Sequence, residues 1–128
     1  MIDIFTDGSC LNNPGNGGWA FVVIKNDKIK VISSGAEKTT TNNRMELTAV
    51  IKALEHNKKK NVNLYSDSKL TINCAKGIWK RKANLDLWKE YDSVSSNVII
   101  NYVWVKAHNG NVYNELVDKL AHKEASKI

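Results

Sequence analysis

Proline occurs once in this 128-residue chain and glycine seven times, so neither a linker-rich nor a fibrous protein is encoded. Cysteine occurs only at Cys10 and Cys74, with no CxxC spacing, so no zinc site is indicated. Isolated thiols of this kind are expected to stay reduced, as in the cytosol. No apolar run approaches ~18 residues, and no membrane-spanning helix is expected. The opening residues MIDIFTDGSC carry acids at Asp3 and Asp7 and no basic stretch leading into a long apolar run. A signal peptide is therefore not expected, and a cytoplasmic location is. Acidic residues are the minority charge, 13 against 19 Lys and Arg, leaving a net charge of +6. A basic domain attracts polyanions, either nucleic acid or an anionic membrane surface, and charge alone does not choose between them.

Hydrophobic residues make up 42% of the chain, enough for one packed core, and the length suits a single domain over residues 1–128. Charged residues, 25% of the total, are spread along the chain, which argues against wholesale disorder. No internal repeat or low-complexity segment is present.

Alternation and β-forming residues predict strands at Ile2–Thr6, Trp19–Lys25 and Ile29–Ser34. Turn chemistry fills residues 8–18, and Asn26-Asp27-Lys28 forms a tight turn. Met45, Leu47, Val50, Ile51 and Leu54 fall at helical spacing, which predicts a helix from Asn43 to about Asn57. Lys58-Lys59-Lys60 then suits the helix C-terminus, where the macrodipole favours cations. A strand follows at Val62–Ser66. A helix follows at Ser68–Lys76, capped by Asp67 or Ser66 and ended by Gly77. Leu85–Ser95 reads as a helix, Val98–Val105 as a strand and Asn111 to about Lys127 as a last helix. The order βββ-α-β-αα-β-α implies one mixed α/β sheet, antiparallel first and parallel later, with helices on its faces.

Asp7 and Asp67 each follow a predicted strand, where ligand sites gather in parallel α/β sheets. If those strands are parallel neighbours, the two carboxylates sit side by side and repel unless a cation or proton compensates. Glu46, in the first turn of its helix, and Asp118, about one turn into the last, could face the same point. Four carboxylates could then hold two hard divalent cations for phosphodiester cleavage. Each acid also has a local reading: Asp7-Gly8 as a turn, Asp67 as a helix cap, Asn43 with Glu46 as a capping box, and Asp118 as a solvated helix position.

TDGSC (6–10) followed by LNNPGNGGWA (11–20) resembles the first strand and turn of type 1 ribonuclease H. TTNNRMEL (40–47) is similar to that family's second motif, YSDSKL (65–70) to its third, and WVKAHNG (104–110) with NELVDKLA (114–121) to its last. The blocks stand in the family's order and span nearly the whole chain. The resemblance implies a ribonuclease H-like five-stranded mixed sheet, three strands antiparallel and the rest parallel, with helices on both faces. It also implies cleavage of the RNA strand of an RNA/DNA hybrid by a monomeric enzyme with no obligate protein partner. Two Mg²⁺ ions, for which Mn²⁺ could substitute, would sit on Asp7, Glu46, Asp67 and Asp118.

By the same resemblance His108 is the mobile-loop histidine that assists proton transfer or product release. Glu115 matches a family acid near the metal site. Asn13 and Asn42 match residues that contact the hybrid in its minor groove, and Thr41, Asn43 and Asn84 match residues that hold a DNA-strand phosphate. Reading 2′-hydroxyls needs short polar groups in that groove. Asn13 and Asn42 are expected to flank the acidic site, and hence to require a run of ribonucleotides.

Lys69 departs from the family's frequent glutamine, and the basic segment between Gly77 and Trp88 is short, with Trp79, Lys80, Arg81 and Lys82 standing for a longer protrusion. Helical spacing favours a core place for Trp79 and Trp88, while His56 and His122 read as surface helix residues. Other readings of the fold are a non-enzymatic nucleic-acid binder, an integrase-type or resolvase-type enzyme, or a basic domain of unrelated role.

Overall fold

The computed structural model describes residues 2–58 and 60–127. Strands β1 (Ile2–Cys10), β2 (Gly15–Lys25) and β3 (Lys28–Thr40) are followed by helix α1 (Asn42–His56) and strand β4 (Asn61–Ser66). Helices α2 (Lys69–Ala75) and α3 (Leu85–Ser95), strand β5 (Ile99–Trp104) and helix α4 (Val112–Ser126) complete the chain. The strands form one sheet in the order β3-β2-β1-β4-β5. The β1–β2 and β2–β3 pairs are antiparallel; the β1–β4 and β4–β5 pairs are parallel. Asn26 and Asp27 join β2 to β3 with φ of 53° and 60°, the left-handed backbone that a two-residue hairpin turn requires.

Both faces of the central strands are covered, so β1 and β2 are buried along most of their length. On one face Ile4, Phe21 and Leu64 meet Val50 and Leu54 of α1, with Trp88 and Tyr91 of α3 in the same cluster. On the other, Phe5, Ala20 and Val22 meet Val117 and Ala121 of α4. Burying each large aliphatic or aromatic side chain contributes roughly 1.5–3 kcal/mol. Gly18 lets α4 lie directly on β2, because a Cβ there would collide with Ala121 and Ala125 of the helix.

The element types are as the sequence predicts, but several boundaries move. β1 continues through Asp7 to Cys10 and β2 begins at Gly15, so the turn occupies only residues 11–14. Asp7 therefore lies inside a strand rather than after it. Glycines 8, 17 and 18 stand where other atoms approach closely, and only part of the Gly-Asn cluster is turn. The α1 cap is Thr41, whose hydroxyl accepts from the Arg44 N–H at 3.2 Å, not Asn42 or Asn43, and the Asn43–Glu46 capping box does not form. Glu46 consequently opens the second turn of the helix. Ser68, not Asp67 or Ser66, caps α2, and Gly77 at φ 77° follows its end as expected. Trp88 is in the core, whereas Trp79 is 45% exposed. Of the Lys58–Lys60 run, Lys59 lies outside the described residues.

Candidate active site

Parallel pairing of β1 with β4 runs to Phe5 opposite Tyr65, so both strands carry Asp7 and Asp67 onward to the same end of the sheet. Glu46 arrives from above. Gly8 has no Cβ, and one added there would strike the backbone of Met45 and Glu46. The absent side chain is what lets α1 rest on β1 and bring Glu46 against Asp7. Asp7 is 2% exposed and its Oδ1 accepts the Gly8 N–H at 2.9 Å. Asp67 occupies the single position between the end of β4 and the α2 cap Ser68.

One carboxylate oxygen from each of Asp7, Glu46 and Asp67 lies within 4.8 Å of the others. Burial, then the Asp67 charge, raises the Asp7 carboxyl to about 8. Burial, then Asp7 and Asp67, pushes Glu46 well above the ordinary carboxylate value. Burial, then Asp118, raises Asp67. Glu46 Oε2 is enclosed and has no hydrogen-bond partner. A cluster that resists its own ionisation, with an oxygen aimed at nothing, fits a hard divalent cation with oxygen ligands.

Asp118, on α4, stands beside this trio and raises both Asp7 and Asp67, but is not within the same short oxygen spacing. His108 Nδ1 lies 4.0 Å from Asp118 Oδ2, and the histidine is 76% exposed. The start of α4, about one and a half turns before Asp118, is fixed by Asn111, whose side chain accepts the N–H groups of Tyr113 and Asn114. Glu115 is half-buried in that first turn.

The expected substrate residues fall into two groups. Asn13 Oδ1 accepts the Asn42 N–H at 3.0 Å. The two adjoin each other, and the expectation that they flank the acidic site from separate places is corrected: the side chain of Asn13 satisfies an N–H at the open start of α1. Asn43 and Asn84 line a separate cleft of about 160 Å³ together with Thr71, Lys80, Arg81 and Lys82. Thr41 is the α1 cap, immediately before Asn42 in sequence. Lys80 and Lys82 are exposed. Arg81 is not a free basic contact. Its guanidinium lies 4.3 Å from the Trp88 ring centre, donates to the Cys74 carbonyl, and pairs with Asp92 at 2.8 Å.

Two contacts have no counterpart in the sequence reading. Arg44 donates to Asn84 Oδ1 at 3.3 Å and pairs with Asp86 at 2.9 Å, tying α1 to the start of α3. The charged Arg44 inside the otherwise polar start of the TTNNRMEL block was the available signal. Trp104 donates its indole N–H to the Asp67 carbonyl oxygen at 3.0 Å, and nothing in its local sequence marks that.

A family model described as RNase H matches residues 1–126. The chain belongs to the RNase H family. A ribonuclease H from Campylobacter jejuni is 46% identical over 136 aligned residues, covering 99% of this chain and 92% of the relative. An N-terminal RNase H domain from Mycobacterium tuberculosis superposes with a TM-score of 0.87 at 28% identity, covering 98% of this chain and 94% of that one. LC11-RNase H1, solved in complex with an RNA/DNA hybrid, gives a TM-score of 0.88 at 24% identity over 99% of this chain and 98% of that one, and shows the shared fold. As an RNase H the chain is a ribonuclease and a phosphodiester hydrolase. The family is metal-dependent, and the Asp7–Glu46–Asp67 cluster suits that dependence. Among the described residues, no helix is long and apolar enough to cross a membrane.

Proposed function

We propose that residues 1–128 act as one catalytic domain that cuts the RNA strand of RNA/DNA hybrids internally, leaving 5′-phosphate and 3′-hydroxyl ends. The observation that carries this reading is the trio of carboxylates whose oxygens lie within 4.8 Å, set in the RNase H fold. Asp7, Glu46, Asp67 and Asp118 would hold two Mg²⁺ ions, with Mn²⁺ as a substitute. Divalent cations bound there supply Lewis-acid stabilisation of the attacking and leaving oxygens.

The chain's own groups do the rest. Asp7 and Glu46 form the floor of the site and turn carboxylate oxygens towards one point. His108, exposed beside Asp118, moves a proton or eases product departure. Asn13 and Asn42 face the minor groove, and the Asn13 amide keeps its Nδ2 donor because only Oδ1 is engaged in the contact with α1. Thr41, Asn43 and Asn84 hold a DNA-strand phosphate, with Lys80 and Lys82 at the rim of the same cleft. The enzyme works as a monomer in the cytoplasm, without an obligate protein partner.

The test is cleavage of end-labelled RNA/DNA hybrid, with RNA/RNA and DNA/DNA duplexes as controls, with and without Mg²⁺. Cleavage of the hybrid alone, dependent on the cation, is the expected result. Products ending in a 2′,3′-cyclic phosphate would rule the mechanism out.

A further inference from the structure

Trp104 ends β5 opposite Ser66, one residue before Asp67, and is 44% exposed. A large aromatic at the end of an edge strand has no core role. Its ring instead makes two contacts with one short segment just past the neighbouring strand β4. The indole N–H donates to the Asp67 carbonyl at 3.0 Å. The Lys69 ammonium lies over the same ring, 4.5 Å from its centre. The segment so held, residues 67–69, is the junction between β4 and α2. It lies past the sheet's last backbone bond there, in which Val105 N–H donates to Ser66 O. It also lies before the first α2 bond, in which Ile72 N–H donates to Ser68 O. The Asp67 carbonyl thus belongs to neither ladder, and the indole is what fixes its peptide plane.

From this we propose that Trp104 is a positioning residue for the cation site, acting through the backbone of Asp67, with Lys69 holding the ring over the junction. The proposal rests on the reading of Asp7, Glu46 and Asp67 as cation ligands. Rotation of the Asp67 peptide would swing its carboxylate away from the other two, whose strand and helix hold them independently. Groups that orient a ligand of a metal from behind typically change affinity by about 10–100-fold when lost.

The experiment is a thermal-melt titration of the folded protein with MgCl₂ or MnCl₂, without nucleic acid. The readout is the cation midpoint concentration, Kd, fitted from the growth of the stabilisation as RT ln(1 + c/Kd), with c the cation concentration. Trp104→Phe keeps an aromatic ring at this position but loses the pyrrole ring that carries the N–H donor; it should raise that concentration by about tenfold. Lys69→Met removes the cation over the ring and should raise it by a smaller factor, about two- to threefold, as expected for an exposed cation–π contact. Asp67→Asn should abolish the shift. A purely structural tryptophan would lower the metal-free melting temperature and leave the cation midpoint in place. An unchanged midpoint in Trp104→Phe overturns the proposal when Asp67→Asn still abolishes the shift, and so does failure of Trp104→Phe to fold. If the parent protein shows no cation-induced shift, the cation-site reading falls and this inference with it.

Discussion

Asp7, Glu46 and Asp67 are carried by a buried strand, a helix resting on that strand at Gly8, and the end of the next parallel strand. His108 and Asp118 stand instead on an exposed loop and on α4, 4.0 Å apart and open to solvent. The floor is positioned by packing that the whole fold must break to disturb, so its repulsion is imposed on it. Within the rim, Asp118 sits on α4 between the buried Val117 and Ala121, whereas His108 stands on an exposed loop that can move without cost to the core. Rigid placement suits groups that must hold cations together, and mobility suits a group that handles a proton or lets product leave.

The comparison breaks most visibly at Asp7. Asp7→Asn, and likewise Asp67→Asn, should reduce hybrid cleavage by roughly 10³-fold or more, because each carboxylate would hold the cations that stabilise the anionic transition state. The metal-free fold should survive, and its melting temperature should hold or rise because repulsion is relieved. A marked fall in melting temperature would make the floor structural. His108→Ala should keep more activity than either variant, because its imidazole assists one proton transfer while the carboxylates hold the cations on which the step depends. Equal loss in His108→Ala and Asp7→Asn, measured under single-turnover conditions, would erase the distinction between rim and floor.

Titration sharpens the same contrast. In metal-free protein the Asp7 carboxyl is raised from 3.8 to about 8, so the folded state favours its protonated form. That contribution is fully present below the ordinary value and is lost as pH rises towards about 8. Melting temperature without cation should therefore fall between about pH 4 and about pH 8, and the fall should flatten in Asp7→Asn. A pH-independent melt in the parent protein would contradict the buried repulsion.

The smallest expected effect lies at the basic segment. Lys80→Ala with Lys82→Ala should raise KM more than it lowers kcat and reduce the salt slope by roughly one unit per lost phosphate contact. Arg81→Ala should act differently, lowering the melting temperature through a loss of about 0.5–1 kcal/mol, because its charge is spent on Trp88, Tyr91 and Asp92. Identical effects of the lysine pair and of Arg81 on KM, measured across salt, would return all three residues to one binding surface.

Periodicity and motif order in the sequence alone determined the element types, the mixed sheet and the identity of the acids that could gather. Strand alternation and helical spacing are local properties, and they survive folding because both faces of this sheet are buried as the pattern demands. What only the tertiary structure decided is which of two physical uses a residue serves. Glycine 8 looks like turn chemistry along the chain, yet it is a strand residue without a side chain so that Met45 and Glu46 can approach. Arg81 looks like its lysine neighbours until Trp88 and Asp92, residues of a later helix, fold against it. Asn13 and Asn42 are 29 residues apart and meet only when the turn reaches the start of α1. Trp104 reaches Asp67 across a parallel strand pair whose register no short stretch of sequence encodes. A residue's chemistry is written in its side chain, but its partner is set by contacts between segments far apart in the chain, and those exist only once the sheet has closed its order.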